Sequence, residues 1–303
     1  MQAFDCKKDK DKCYFMGWYF KHQNGDFTIS FIPGIHADKK KNKSAFVQVI
    51  TDDKSCYVPY PIEEFEANRE EHRIKIGKNE FSDTGIKVDL EGDGFSCKGD
   101  LAYGSLSGLK HNVMGPFRFM PFMECNHSVL SMKHVVAGEL WLFNKESGNK
   151  NIVFGKGSSG YIEMDWGRSF PKSYSWIQCN RFGEEDCNVM AAAAIIPLFG
   201  TKFTGCTCTV DYMGSSHCLA TYKGAKVKYF NNFGMEILQG DKRLQIEILK
   251  EGSRQLMAPA LGCMSRTIRE SPSCKARFRF SDKGKVYFDL TSNQASFEYI
   301  PLS

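Results

Sequence analysis

The 303-residue chain contains no HExxH, no P-loop and no GxGxxG, so the usual sequence signatures of a zinc-protease helix, a nucleotide-phosphate loop and a dinucleotide fold are missing. Helical signals are scarce: the prevailing hydrophobic period is two rather than 3.6. The longest apolar run, VMAAAAIIPLF, is about half of what a bilayer-spanning helix requires and contains Pro197. That excludes an integral membrane protein built on helices. The N-terminal MQAFDCKKDKDK is charged and lacks the apolar stretch of a secretory signal. The twelve cysteines are therefore expected to be reduced thiols in a cytoplasm, not a disulfide framework. Cys206 and Cys208 form the only close pair, without a second pair at zinc-ligand spacing. No metal and no cofactor is expected.

What is present describes an ordinary globular protein, with 42% hydrophobic and 25% charged residues and an unusual 24 phenylalanines. The net charge of +5 is mild. Much of the excess lies in KKDKDK and DKKKNK, which read as solvated turns rather than as nucleic-acid or acidic-lipid sites. YFMGWYFKHQNGDFTISFIPG is two alternating runs joined by Asn24-Gly25, whose tolerance of positive φ suits a two-residue hairpin. Similar turns are expected at Gly240-Asp241 and Lys283-Gly284. NVMAAAAIIPLFGTKFTG is read as strand despite its alanines, and IEEFEANREE as a short helix. The Gly/Ser-rich GKGSSG, residues 155–160, is the expected boundary between an N-terminal domain, 1–155, and a C-terminal one, 156–303. The predicted class is all-β, with barrels or sandwiches that enclose a ligand cavity or bury a solid core.

One stretch carries chemistry. In GYIEMDWGRSF a strand places Tyr161, Glu163 and Asp165 on one face and Ile162, Met164 and Trp166 on the other. Spacing alone leaves two readings open: an acidic face that meets water, or a pair of functional carboxyls. Trp176, Gln178, Asn180 and Phe182 align similarly on the next strand, as a half-exposed sheet surface or a pocket wall. His127 and Glu124 read as structural residues or as members of a proton relay, Arg168 as an ion-pair partner of Asp165 or Glu163 or as a substrate contact, and Trp18 as core or pocket lining.

The segment GYIEMDWGRSFPKSYSWIQCNRF resembles the central signature of the tocopherol cyclase family and its bacterial relatives, a "WG.SFP..W.W.Q.N.F" pattern. FMGWYFK resembles that family's N-terminal strand, GPFRFMPFMECNHSVLSMKHVVAGEL its "GPF…PF" pair, and LMAPALGCMSRTIRES its bacterial C-terminal region. The resemblance implies two lipocalin-like β domains and a cofactor-independent enzyme that protonates an alkene of a hydrophobic, isoprenoid or prenylated-quinol-like substrate. Carotenoid hydratases and Diels-Alder pericyclases are more distant kin. It implies Glu163 as the acid, Tyr161 as its orienter, Asp165 as a second charge, and Trp18, Trp166 and Trp176 as aromatic faces for a carbocation. Met164 stands where many relatives have Lys, removing a cation near the carboxylates. The partner expected is a hydrophobic small molecule, with peripheral membrane contact to collect it and no nucleic acid. Two other readings stand beside the acid-catalysed enzyme: a barrel that only binds its ligand, and a pericyclase that works without a general acid.

Overall fold

The computed structural model describes residues 13–120, 123–198 and 200–302; the KKDKDK run lies outside them. Twelve strands form the first antiparallel sheet: β1 (Tyr14–Gln23), β2 (Thr28–Ala37), β3 (Lys43–Thr51), β4 (Ser55–Pro61), β5 (Phe65–Asn68), β6 (Arg73–Ile76), β7 (Asn79–Ser82), β8 (Gly85–Gly92), β9 (Phe95–Tyr103), β10 (Cys125–Asn144), β11 (Gly148–Phe154) and β12 (Ser159–Gly167). Their order is β4-β3-β2-β1-β12-β10-β9-β8-β7-β6-β5, with β11 on β10. Ten more form the second: β13 (Tyr174–Cys179), β14 (Cys187–Leu198), β15 (Thr201–Tyr212), β16 (Ser215–Ala220), β17 (Lys226–Asn231), β18 (Gly234–Gln239), β19 (Lys242–Lys250), β20 (Arg254–Ala260), β21 (Cys263–Asp282) and β22 (Lys285–Ile300). Helical structure among the described residues is limited to three short 3₁₀ turns. The protein is all-β, as its period-two patterning demands.

Each sheet organises its own compact unit. The first takes in residues up to Lys110, Met123–Phe170 and Leu256–Thr267; the second holds His111–Phe122, Pro171–Gln255 and the chain from Ile268 onward. The first sheet curls back on itself. The Cys56 thiol of β4 donates to the Gly92 carbonyl at 3.2 Å, and Asn79 donates to the Tyr60 hydroxyl at 3.1 Å. Inside this curl lie Trp18, Phe20, Phe31, Phe81, Ile162 and Met164, nearly all without solvent contact. The second unit buries Ile177, Val189, Val210, Phe278 and Phe280 in the same way. Apolar burial on this scale is the main stabilising term for both.

Three expectations change in detail. The segment 155–160 is the turn 155–158 between β11 and β12 and the first two residues of β12, inside the first unit, and the passage between units falls at Phe170-Pro171. A Gly/Ser-rich turn flanked by well-paired strands looks like a linker in sequence, but its strands belong to one sheet. IEEFEANREE forms a 3₁₀ turn at Ile62–Glu64 and then β5, because pairing with β6 satisfies its backbone better than an isolated short helix would. The first hairpin has a four-residue connection, with Gln23 opposite Thr28 and the Asn24 side chain accepting from the Phe27 amide at 3.0 Å. By contrast, Asp282 pairs directly with Lys285, and Lys283 and Gly284 both have positive φ, the two-residue turn expected there. The DKKKNK run is a solvated turn in which Asp38 caps the amides of Lys40 and Asn42. NVMAAAAIIPLFGTKFTG forms β14 and the start of β15.

Gly167 ends β12 at φ 153°, and a Cβ there would stand 2.1 Å from the Glu124 carbonyl oxygen. The same oxygen accepts the amides of Arg168 and Ser169. Gly167→Ala is therefore expected to destabilise the protein by roughly 1–3 kcal/mol through overpacking and backbone strain. A urea midpoint equal to wild type would contradict this.

Candidate active site

β12 lies between β1 and β10, so its side chains have neighbours on both flanks. Tyr19 sits directly opposite Glu163 and Lys21 opposite Tyr161 on β1; His127 sits opposite Asp165 and Val129 opposite Glu163 on β10. Directly paired residues of an antiparallel sheet project to the same side. Tyr19, Lys21, His127, Tyr161, Glu163 and Asp165 therefore share one face.

That face is not a solvated one. Glu163 is 5% exposed, Tyr161 has no exposure and Lys21 is 1% exposed. The reading in which the carboxylates simply meet water is overturned. Asp165 is more open because Gly17, opposite it, has no side chain to cover it.

Hydrogen bonds and one ion-pair contact join Tyr161, Glu163, His127 and Asp165 into a chain. The Tyr161 hydroxyl donates to Glu163 Oε2 at 2.5 Å. His127 Nδ1 is 3.0 Å from Asp165 Oδ1, while its Nε2 stands 3.5 Å from Glu163 Oε2, an ion-pair distance without hydrogen-bond geometry. The Cys125 thiol approaches Asp165 Oδ1 at 3.8 Å. One imidazole thus reaches both carboxylates.

Electrostatics follow from this geometry. Burial alone would lower the His127 pKa, but Glu163 and Asp165 together outweigh it and raise it to about 9. The ring is an imidazolium at neutral pH, and its Nδ1–H donates to Asp165. Tyr161 is pushed well above the ordinary phenol value by burial and then by the Glu163 charge. Cys125 is pushed up by burial and then by Asp165. Both stay protonated where His127 titrates.

Several sequence assignments shift. Trp18, Met164 and Trp166 lie on the opposite face, Trp18 and Met164 within the core and Trp166 packed against it. The two tryptophans do not wall the carboxyls; the strand register places Phe15, Tyr19 and Tyr161 on that side instead. A cation at position 164 would point into the core, whereas His127 and the buried Lys21 lie on the carboxylates' own face. Arg168 is exposed and makes no ion pair with Asp165 or Glu163 among the described residues. Its amide, like that of Ser169, bonds to the Glu124 carbonyl, so both positions shape the end of β12. Trp176 and Gln178 are buried on β13 of the second unit, with Asn180 just past its end. Phe182 leaves their face and joins Ile177 and Cys179 in the core, because the strand stops at Cys179. Near Trp176 the Tyr174 hydroxyl donates to Glu298, which lies directly opposite Glu270.

His127, Glu163 and Asp165 also present one ligand atom each within 4.8 Å of one another, a donor set that could hold a divalent cation. Spacing along the chain does not reveal it, since 36 positions separate His127 from Glu163. Hydrogen bonding already occupies Glu163 Oε2 and Asp165 Oδ1. The eleven cysteines among the described residues are all free thiols.

Against this geometry the comparisons decide the family. The family model described as "Tocopherol cyclase-like" matches residues 93–299, more than half of the chain and the whole of β10, β12 and β13. The chain belongs to the tocopherol cyclase-like family. It is 24% identical over 226 residues, 67% of its length, to a protein of Oryza sativa subsp. japonica named "Probable tocopherol cyclase, chloroplastic", of which the match spans 45%. The chain therefore spans less than half of that relative. Among solved structures, CghA with Sch210972 superposes at TM-score 0.61 with 11% identity, covering 96% of this chain and 89% of that one. A candidate AttH from Nitrosomonas europaea gives 0.55 with 10% identity, covering 99% and 98%. These likenesses establish the lipocalin-like barrel or sandwich fold of this family member.

The His127 pKa sets a pH dependence. Raised above its unfolded value of 6.5, it contributes stability that is fully present below that value and is lost as pH rises through about 9. Imidazole ¹⁵N NMR is expected to show His127 titrating near 9, with a lower midpoint in Glu163→Gln and lower still with Asp165→Asn added. A wild-type midpoint below 6.5 would refute the ion-pair description.

Proposed function

We propose that this family member is a cofactor-independent, acid-catalysed enzyme acting on a hydrophobic substrate with an alkene and a phenol, such as a prenylated hydroquinone. The observation that carries the reading is the buried Tyr161–Glu163–His127–Asp165 chain. A carboxyl beside an imidazolium is ordinarily ionised. An apolar substrate that displaces water favours the neutral pair, in which the proton has passed from His127 Nε2 to Glu163. Glu163 is then a neutral acid in an apolar site, held by the Tyr161 hydroxyl.

Glu163 protonates the less substituted alkene carbon, and the phenolic oxygen attacks the resulting tertiary cation to form the new C–O bond. The phenolic proton returns to the carboxylate. Atoms balance as an isomerisation, and Asp165 keeps the imidazole oriented throughout. Tyr19 and Tyr161 offer ring faces on the cation's side. The assignment of Glu163 as acid, Tyr161 as orienter and Asp165 as second charge follows from this scheme. The cyclase name of the rice relative supports the reaction class.

A prenylated hydroquinone turned over in D₂O is expected to give a chroman carrying one deuterium on carbon. Glu163→Gln should lower turnover by roughly 100-fold or more, and Asp165→Asn by less. Product without deuterium would indicate a pericyclase, and binding without product a carrier; either outcome ends the acid-catalysis reading. The His127–Glu163–Asp165 set makes a metal test necessary as well. Activity is expected to survive EDTA, and loss restored by added divalent metal would assign the three residues to a cation instead.

A further inference from the structure

The 3₁₀ turn Gly115–Phe119 belongs to the second unit, although the strands flanking it in sequence belong to the first. It is pinned from one side. The Phe117 ring stacks on Phe203 at 6.1 Å and meets Tyr222 edge-on at 6.5 Å, and the Tyr222 hydroxyl donates to the Asn112 carbonyl. Gly115, at φ 51°, lies so close to the Tyr222 ring that a Cβ would stand 2.5 Å from it. With Phe117 held inward, the next two apolar side chains face water: Phe119 is 72% exposed and Met120 41%. The Arg118 guanidinium lies 4.5 Å over the Phe119 ring.

The charge around this turn has one sign. Residues 104–123, 189–210 and 219–230 contain no Asp or Glu. These three segments, brought together by Phe117, Phe203 and Tyr222, expose Lys110, Arg118, Lys202, Lys223, Lys226 and Lys228, of which Arg118, Lys202 and Lys223 stand next to or one residue from those aromatic contacts in sequence. Asp211, next along β15, is the carboxylate whose field reaches His111. Single exposed apolar residues are normal. A Phe-Met pair held outward by an anchored neighbour, in segments whose exposed charges are all cationic, is a different arrangement.

We propose that Phe119 and Met120, with Arg118, Lys202 and Lys223 around them, dock on the surface of an anionic lipid bilayer. Phe and Met would enter the boundary between headgroups and acyl chains, while the long basic side chains extend to lipid phosphates. An acidic protein would satisfy the charges, but an outward Phe-Met pair on a short turn suits a soft apolar layer better than a flat polar partner. This docking requires no turnover, so it stands or falls separately from the reaction assigned to Glu163.

Vesicle flotation of the full chain tests it. Binding is expected to vesicles of phosphatidylcholine with about three parts in ten phosphatidylglycerol, to be weak on phosphatidylcholine alone, and to fall in about 0.5 M salt. Phe119→Ser with Met120→Ser should weaken partitioning by about tenfold or more. Arg118→Gln with Lys202→Gln should cost about 25-fold, roughly fivefold per charge. Circular dichroism should match wild type in both. Trp141→Ser with Phe143→Ser, which removes two exposed aromatics from β10 of the first unit, should leave binding unchanged. The proposal is overturned if wild type fails to float with anionic vesicles, if the Trp141/Phe143 variant is the one that fails, or if Arg118 and Lys202 prove necessary only for capture of an acidic protein.

Discussion

Two carboxylates at i and i+2 of one strand must point the same way, and in this protein that side is buried. Placing Glu163 and Asp165 there would be strongly unfavourable without a compensating charge. His127 supplies it, with one ring nitrogen at 3.0 Å from Asp165 and the other at 3.5 Å from Glu163. The Tyr161 hydroxyl satisfies a further lone pair. Removing the imidazole would strip both carboxylates of a positive charge they share, leaving the buried Lys21 as a cation on that face.

The imidazole is in place only because of strand register. His127 faces Asp165 across the β10–β12 ladder, whereas a slip of one residue would bring Asn126 or Ser128 to the site and send His127 toward the core. The register shifts of β10 come later, between Val129 and His134. They let one 20-residue strand serve two ladders without disturbing its first five residues. On the other flank, the pairing of Gly17 with Asp165 leaves that carboxylate partly open, while Tyr19 stands opposite the buried Glu163. Backbone pairing thus assigns the two acids different solvation, the condition for giving them different protonation behaviour.

Much of the fold was legible from local chemistry. Alternation over FMGWYFK and KVYFDL, the Lys283-Gly284 turn and the β-branched run after the alanines of β14 all report on a residue's immediate neighbours. The face shared by Tyr161, Glu163 and Asp165 was legible for the same reason. What was not legible depended on pairing between distant strands. Nothing in MECNHSVL indicates that His127 will lie beside Asp165, and the tryptophans at 18 and 166 read as aromatic faces for the site until the ladder turned both to the opposite side, Trp18 into the core and Trp166 against it. Lys21 and Tyr19 were passed over because a strand read alone does not say which of its faces meets the carboxylates.

A phenol on a buried carboxyl recurs among the described residues. Tyr161 serves Glu163 in the first unit and Tyr174 serves Glu298 in the second, where Glu270 faces Glu298 across the β21–β22 ladder. Such a pair is an economical way to satisfy an acid inside a β protein, so the tyrosine alone does not identify a proton donor. The catalytic proposal rests instead on a cationic acid within proton-transfer reach of the carboxylate after a small movement. At Glu163 that group is His127: its Nε2 is buried without a hydrogen-bond partner and needs to close only a few tenths of an ångström to reach Oε2. A site whose protons are all hydrogen-bonded resists transfer, whereas here the His127 ring holds one N–H on Asp165 and turns its other nitrogen toward Glu163.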